Sequence, residues 1–399
     1  MPADNLRKVA AALFLSAGFL IGAFRYLDKG IYHSYSQWDL RSSVSAVATR
    51  LTGNPDPMGE GFAPSFLPPY LPVAYPLLDM IGRFPWPAVK VAWLILICLG
   101  LMVAMALTLR EISREHENLP QQHRLLLMLS IVLFKGTYLA LATGQLSLLI
   151  IFLLLGFVYA KESKPWLAVF CLAMATMKIH LALPFYIYLL LKSDFRFFAR
   201  SAATALALNL VVSVFYLGPV EHARQFIWSL THFAPEGTND MTLAGGSGRI
   251  DLAPLAVIFG LSGQVLIITQ VVVLCGGLAF LFLSRHRLSE RMLLFNCNLI
   301  CFMAYYHRDY DLVLLLLLGL PLIYPRRHEF SCLNFLLLLP IVLPIQRINE
   351  WGTQALPAMG FIFNLLGSSM VVSLGVVGWV LNKRDGILGN RRARLQAAR

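Results

Sequence analysis

Long apolar runs separated by short polar connectors recur along the whole chain. Two examples are WPAVKVAWLILICLGLMVAMALTL from Trp86 and VVVLCGGLAFLFL from Val271. A run of roughly 18 or more apolar residues is long enough for a helix to cross a bilayer core of about 30 Å. Backbone groups inside lipid must be satisfied within the protein, which favours helices. The pattern predicts an all-α, polytopic helical membrane protein with about 11–13 transmembrane helices, forming one integral membrane domain over residues 1–399.

Composition supports a membrane protein and argues against nucleic acid as a partner. The chain is 58% hydrophobic and 14% charged, with a mean hydropathy of +0.67, whereas soluble proteins average about 25% charged residues. The net charge of +12 comes from basic residues in short connectors such as KSDFRFFAR and SRHRLSER and in the tail 382–399. Such clusters are typical of cytoplasmic loops. The six cysteines lie inside apolar runs, which predicts free, buried thiols.

The positions of the basic clusters predict the topology. Arg7 and Lys8 place the N-terminus inside, before a retained first span over 9–24 and an external loop over 25–85. Spans five and six are predicted to be short and to meet outside at 177–180. A second external loop covers 219–262, and the tail 382–399 is cytoplasmic. We therefore expect a multi-pass protein of the inner or plasma membrane with both termini in the cytoplasm.

A proline-rich stretch, FLPPYLPVAYPLLDMIG, covers residues 66–82 within the first external loop. Its four prolines remove backbone donors and interrupt helices, so a lipid-facing span is not expected here. The stretch instead predicts a re-entrant or interfacial segment that is buried against the protein.

The same topology puts several polar residues on the external side of the membrane. Ionisable residues at membrane depth are costly and often functional. Each also has a simpler interpretation: Asp39 could be a solvated residue or a helix cap, and Lys178 could extend to the interface. Gln145 could satisfy nearby backbone, and the HRDYD stretch at 307–311 could be a turn paired through Arg308 and its acidic neighbours. In the functional interpretation, Asp39 is a base, Gln145 contacts the substrate, and Lys178 and the HRDYD stretch provide cations for a phosphate. Arg308 suits this role because Arg offers a bidentate fork for phosphate oxygens.

Taken in order, these motifs resemble those of a known family. They are Trp38-Asp39, the Pro-Pro segment FLPPY from Phe66, Gly144-Gln145 at the head of an apolar helix, Lys178 before a run ending in KSDFRFF, and YYHRDYDLVLLLLLGLPL from Tyr305. The chain resembles the GT-C superfamily of polytopic glycosyltransferases. Within it, the chain resembles glycosyltransferase family 87, which includes polyprenol-phosphate-mannose-dependent mannosyltransferases.

The resemblance implies an inverting transfer of a hexose, with mannose as the expected sugar, from a polyprenyl-phosphate-linked donor. The acceptor would be a lipid or glycan at the external face, and membrane lipids would surround the protein. Asp39 would be the general base. No metal or other cofactor is expected, because protein cations can supply the charge. The residues expected to contact substrate are Arg41, Gln145, Lys178, His180, His307, Arg308, Asp309 and Asp311.

Two other functions fit much of the same pattern. A transporter or flippase of a lipid-linked saccharide would share the spans and the intramembrane charges, although such proteins often contain internal repeats, which are not evident here. A polysaccharide polymerase or ligase would also use external loops and lipid-linked donors.

Overall fold

The computed structural model describes residues 38–52, 70–115, 124, 128, 131–132, 134–232, 263–305 and 307–323. Every regular element in these ranges is a helix, which confirms the all-α prediction. The predicted first span, the last two spans, most of the loop 219–262 and the basic tail 382–399 lie outside the described residues.

Within residues 134–232 the helices follow one another with short connections. In chain order the described helices are α1 (Trp38–Thr52), α2 (Tyr75–Gly82), α3 (Trp86–Glu115), α4 (Lys135–Thr143), α5 (Ser147–Ala160), α6 (Pro165–Ala175), α7 (Ile179–Leu191), α8 (Phe195–Tyr216), α9 (Pro219–His232), α10 (Gly263–Ser284), α11 (Glu290–Ala304) and α12 (Leu312–Ile323). Short 3-10 turns lie at Pro72–Ala74, Thr176–Lys178, Arg285–Arg287 and Asp309–Asp311.

The chain divides into two compact units. The first comprises residues 1–183 and 196–236, and the second comprises 184–195 and 237–399. The first unit contains Asp39, Gln145 and Lys178, and the second contains the HRDYD stretch.

Four helical segments of the described residues are long and apolar enough to cross a membrane. They are Trp86–Ser113, Pro165–Leu191, Phe195–Tyr216 and Ile267–Arg287. Two shorter apolar helices cover Ser147–Ala160 and Leu312–Leu322. These segments confirm a polytopic membrane protein, while the number of 11–13 spans stays a prediction.

The structure corrects the prediction for spans five and six. Pro165–Leu191 forms a single helical segment of 27 residues, in which α6 continues through the turn Thr176–Lys178 into α7. The predicted pair of short spans meeting at 177–180 is therefore wrong. Because one span replaces two, the number of membrane crossings before each later connector changes by one. The side of the membrane predicted for those connectors therefore no longer follows from the N-terminal part of the chain, and the orientation of the termini stays a prediction.

Helix α1 lies in the stretch that was predicted to be an external loop. Its residues from Ser42 to Val47 are all buried, including three serines. The helix packs against α2 and α4. At Gly82 a Cβ atom would lie 3.0 Å from Val44 Cγ1, so α1 and α2 approach closely where glycine leaves room. Asp39 therefore begins a buried helix.

The described end of the proline-rich stretch is a short helical segment. Its helix α2 has 8 residues, which is about 12 Å and too short to cross a bilayer. The backbone N–H of Val73 donates to Asn209 Oδ1 at 3.1 Å. The Tyr75 ring meets the ring of His222 edge-on, with centroids 4.7 Å apart. These contacts hold the segment against α8 and α9, while its position relative to the membrane stays a prediction.

Candidate active site

The centre of the candidate site is the break between α4 and α5. Gly144 ends α4 in the left-handed conformation, with φ 70°. The N–H of Gly144 donates to Leu141 O at 3.3 Å, and the N–H of Gln145 donates to Ala140 O at 2.9 Å. This is the Schellman arrangement, which satisfies the last carbonyls of a helix. Helix α5 then begins at Ser147, so the break places two polar side chains, Gln145 and Ser147, two positions apart.

Gln145 connects this break to Asp39. Its Nε2 donates a hydrogen bond to Asp39 Oδ2. Asp39 lies in the first turn of α1 and is half-buried, and Gln145 is only 7% exposed. A carboxylate in the first turn also benefits from the positive end of the helix dipole. Asp39 is thus neither a fully solvated loop residue nor unpaired.

Ser147 connects the same break to Lys178. The Lys178 ammonium donates to Ser147 Oγ, and Lys178 is 7% exposed. Lys178 ends the 3-10 turn between α6 and α7. A lysine that only extended to the membrane interface would keep its ammonium in water, whereas this ammonium is bonded inside the protein.

The proline-rich segment lies directly beside Lys178. The N–H of Leu71 donates to the carbonyl of Met177 at 3.3 Å, and the turns Pro72–Ala74 and Thr176–Lys178 contact each other. Tyr70 and Val73 are buried in this region. The described end of the proline-rich segment therefore lies next to the buried lysine.

Two other predicted residues of the first unit lie on neighbouring elements. Arg41 is half-buried, and its guanidinium lies 5.6 Å from the centroid of the Trp86 ring, a cation–π distance. His180 is half-buried in the first turn of α7, two residues after Lys178. The predicted substrate contacts of both stay predictions.

The HRDYD stretch of the second unit is organised around a buried pair. His307 Nδ1 lies 3.4 Å from Asp311 Oδ2, with the side chains 0% and 1% exposed. The same oxygen accepts the N–H of Arg308 at 3.3 Å, and the His307 ring stacks on Phe302 with centroids 3.7 Å apart. Asp309 begins the 3-10 turn that leads into α12. His307 is thus enclosed, while Arg308 is half-buried.

The structure brings some of the predicted residues together through groups that were not predicted. Ser147 binds Lys178, and Asn209 binds the proline-rich segment. Serine at the start of an apolar helix and asparagine inside one are the signals that could have drawn attention to them. Whether the first-unit residues and the HRDYD stretch share one cavity stays a prediction.

The described part of the chain is thus a multi-span helical membrane protein in which one buried break contacts both a carboxylate and a lysine. A model of glycosyltransferase family 87 matches residues 66–306, so the chain belongs to glycosyltransferase family 87 and is a membrane glycosyltransferase. No curated protein sequence matches the chain.

The matched range covers only part of the candidate site. It includes Gln145, Ser147 and Lys178, whereas Asp39 precedes it and His307 follows it. The case for Asp39 therefore depends on its contact with Gln145, which lies within the matched range.

Proposed function

We propose that the protein transfers a hexose, with mannose as the first candidate, from a polyprenyl-phosphate-linked donor to a lipid or glycan acceptor at the external face. The observation that supports this best is the pair of contacts on the α4–α5 break. Gln145 holds Asp39 and Ser147 holds Lys178. Residues two positions apart have Cα atoms at most about 7 Å from each other, so a base and a cation are held by one short segment.

Asp39 acts as the general base in this proposal. Its carboxylate takes the proton of the acceptor hydroxyl as the hydroxyl oxygen forms a bond to the anomeric carbon of the donor sugar. The bond between that carbon and the phosphate oxygen breaks in the same displacement, which inverts the configuration of the anomeric carbon. A positioned base of this kind contributes typically about 10²–10⁴-fold to a rate.

Lys178 offsets the charge that develops on the leaving group. The donor phosphodiester carries one negative charge, and the released polyprenyl phosphate gains a second one. A buried ammonium acts strongly on such charge because little water screens it. Helix α5 begins beside it at Ser147 without a side-chain cap, so the positive end of that helix adds to the same field.

The lipid part of the donor would lie along the proline-rich segment. This segment contacts the turn that carries Lys178 through Leu71 and Met177. Its buried residues are mainly apolar, which suits the hydrocarbon of a polyprenyl chain. A phosphate held at Lys178 would then have its lipid chain beside apolar side chains.

The test uses the full chain reconstituted in lipid vesicles with a labelled polyprenyl-phosphate hexose. We expect labelled sugar to appear in a glycosidic bond on acceptors from a membrane extract. Synthetic donors that differ only in the sugar identify the hexose. Transfer from a nucleotide sugar without any lipid-linked donor would contradict the proposed donor class.

The same vesicles separate this proposal from a flippase. A flippase would move the labelled lipid between leaflets without forming a new glycosidic bond. Movement without bond formation would therefore contradict the proposed function.

A further inference from the structure

We infer that Gln145 is a positioning residue that orients the carboxylate of Asp39, and that it is not a contact for the substrate. The inference rests on the proposed role of Asp39 as the base. It differs from the sequence-based prediction, in which Gln145 binds substrate.

The backbone of Gln145 is fixed before its side chain makes any contact. Its N–H is bonded to Ala140 O, and Gly144 holds the left-handed conformation that ends α4. The next residues, Leu146 and Ser147, are 1% and 0% exposed. A side chain on such a backbone has few alternative positions. The end of α4 before Gln145 and the buried residues after it therefore both restrict its contact with α1.

The side chain of Gln145 is committed to one oxygen of the carboxylate. Nε2 donates to Asp39 Oδ2. In the described part of the chain, no other side chain or backbone group donates to this carboxylate. The other carboxylate oxygen of Asp39, Oδ1, is therefore the one left for the acceptor hydroxyl. The hydrogen bond from the Gln145 amide restricts rotation of this carboxylate.

The chemistry of the Gln145 side chain favours a contact with Asp39 over one with the phosphate. One N–H of its amide is bonded to the Asp39 carboxylate, and a neutral amide carries no charge with which to hold a phosphate. A residue that only orients the base affects the chemical step, because the substrate binds equally well without it.

The test compares Gln145→Leu with wild type in the reconstituted transfer assay. Leucine has a similar volume but no donor. We expect kcat to fall about 10–100-fold with the KM for the lipid-linked donor changed by less than about threefold. Gln145→Asn keeps the amide on a shorter side chain, and we expect an intermediate kcat.

A matched control is available on α9. Gln225 Nε2 also donates to a carboxylate, that of Glu221, at 2.7 Å. The Arg224 side chain donates to the same carboxylate, and its hydrogen bond holds the pKa of Glu221 below its ordinary value, so the acceptor stays ionised at neutral pH. Gln225→Leu therefore removes the same kind of contact away from the site, and we expect wild-type kcat and KM.

The double variant completes the test. If Gln145 acts through Asp39, Asp39→Asn with Gln145→Leu is no slower than Asp39→Asn alone. A raised donor KM with unchanged kcat in Gln145→Leu, or rates for both Gln145 variants equal to wild type, would overturn the inference. Wild-type transfer by Asp39→Asn would instead remove the base assignment itself, so the two failures are distinguishable.

Discussion

At the level of single residues, the candidate site contains polar groups that are enclosed but paired. A buried polar group without a partner costs about 1–3 kcal/mol, and a buried charge costs more. Asp39 and Lys178 avoid this cost through Gln145 and Ser147.

Some of this arrangement could be predicted from the sequence. Gln145 and Lys178 were selected because polar residues between apolar runs are costly. Asp39 was selected for its predicted membrane face and its place in the family-like motif Trp38-Asp39, and the structure pairs it directly with Gln145. Ser147 was not selected, since a single hydroxyl at a helix start is common. The contact between Asp39 and Gln145 joins positions 106 residues apart, and no local pattern encodes such a pairing.

Replacing the buried lysine tests its proposed role. We expect Lys178→Met to lower kcat about 10²-fold, because the charge that develops on the phosphate loses its cation. Methionine keeps much of the volume, so the fold should persist. The measurement is the transfer rate at saturating donor.

Lys161→Met provides the control for this variant. The Lys161 ammonium lies 5.7 Å from the centroid of the Phe197 ring, at the end of α5 opposite the break. We expect its transfer rate to match wild type. Equal losses of transfer rate in Lys178→Met and Lys161→Met would mean that removing either charge destabilises the protein in general.

At the scale of elements, two helices were difficult to predict for opposite reasons. Helix α1 is rich in Ser, Thr and Arg, which suggested a loop, but tertiary packing buries it. In Pro165–Leu191, the polar residues within 177–180 suggested a turn between two spans. The structure shows a 3-10 turn that continues the helix, and Lys178 at its end is hydrogen-bonded to Ser147 inside the protein.

The single segment Pro165–Leu191 makes a prediction about topology. One spanning helix has its two ends on opposite sides of the membrane. Cysteines introduced as Glu162→Cys and Ser193→Cys in a cysteine-free background should therefore react with an impermeant maleimide from opposite sides of sealed vesicles. Labelling of both from the same side would favour the pair of short spans.

Close helix packing makes a second prediction at this scale. A Cβ atom at Gly100 of α3 would overlap the Phe152 ring of α5, whereas at Gly276 of α10 it would meet nothing within 4 Å. We expect Gly100→Ala to destabilise the protein by about 1–3 kcal/mol, since overpacking forces side chains or backbone to shift. Thermal unfolding in detergent measures the loss of stability.

The control for that variant is Gly276→Ala, for which we expect a melting temperature close to that of wild type. A wild-type melting temperature for Gly100→Ala would show that α3 and α5 can separate without cost.

At the scale of the whole molecule, composition and periodicity were sufficient for the class of fold. A long apolar run in a bilayer usually forms a helix, because its backbone groups must be satisfied internally. The structure confirms an all-α polytopic protein. The order of the motifs pointed to glycosyltransferase family 87, which the family match confirms. The number of spans was less predictable, because 13–16-residue apolar runs fit both short spans and halves of a longer one.

The central claim is that Asp39 is the base of a glycosyl transfer reaction. Its most direct test is a single-turnover measurement of sugar transfer by the full chain in lipid, with a labelled polyprenyl-phosphate hexose. Glu221→Gln is the matched control, because Glu221 is an acidic residue on α9, outside the candidate site, and pairs with Arg224 at 3.0 Å.

We predict that Asp39→Asn slows the transfer step by about 10²–10⁴-fold, while Glu221→Gln transfers at the wild-type rate. Asparagine keeps the shape of the side chain but cannot accept the proton of the acceptor. Transfer by Asp39→Asn at the wild-type rate would contradict the account.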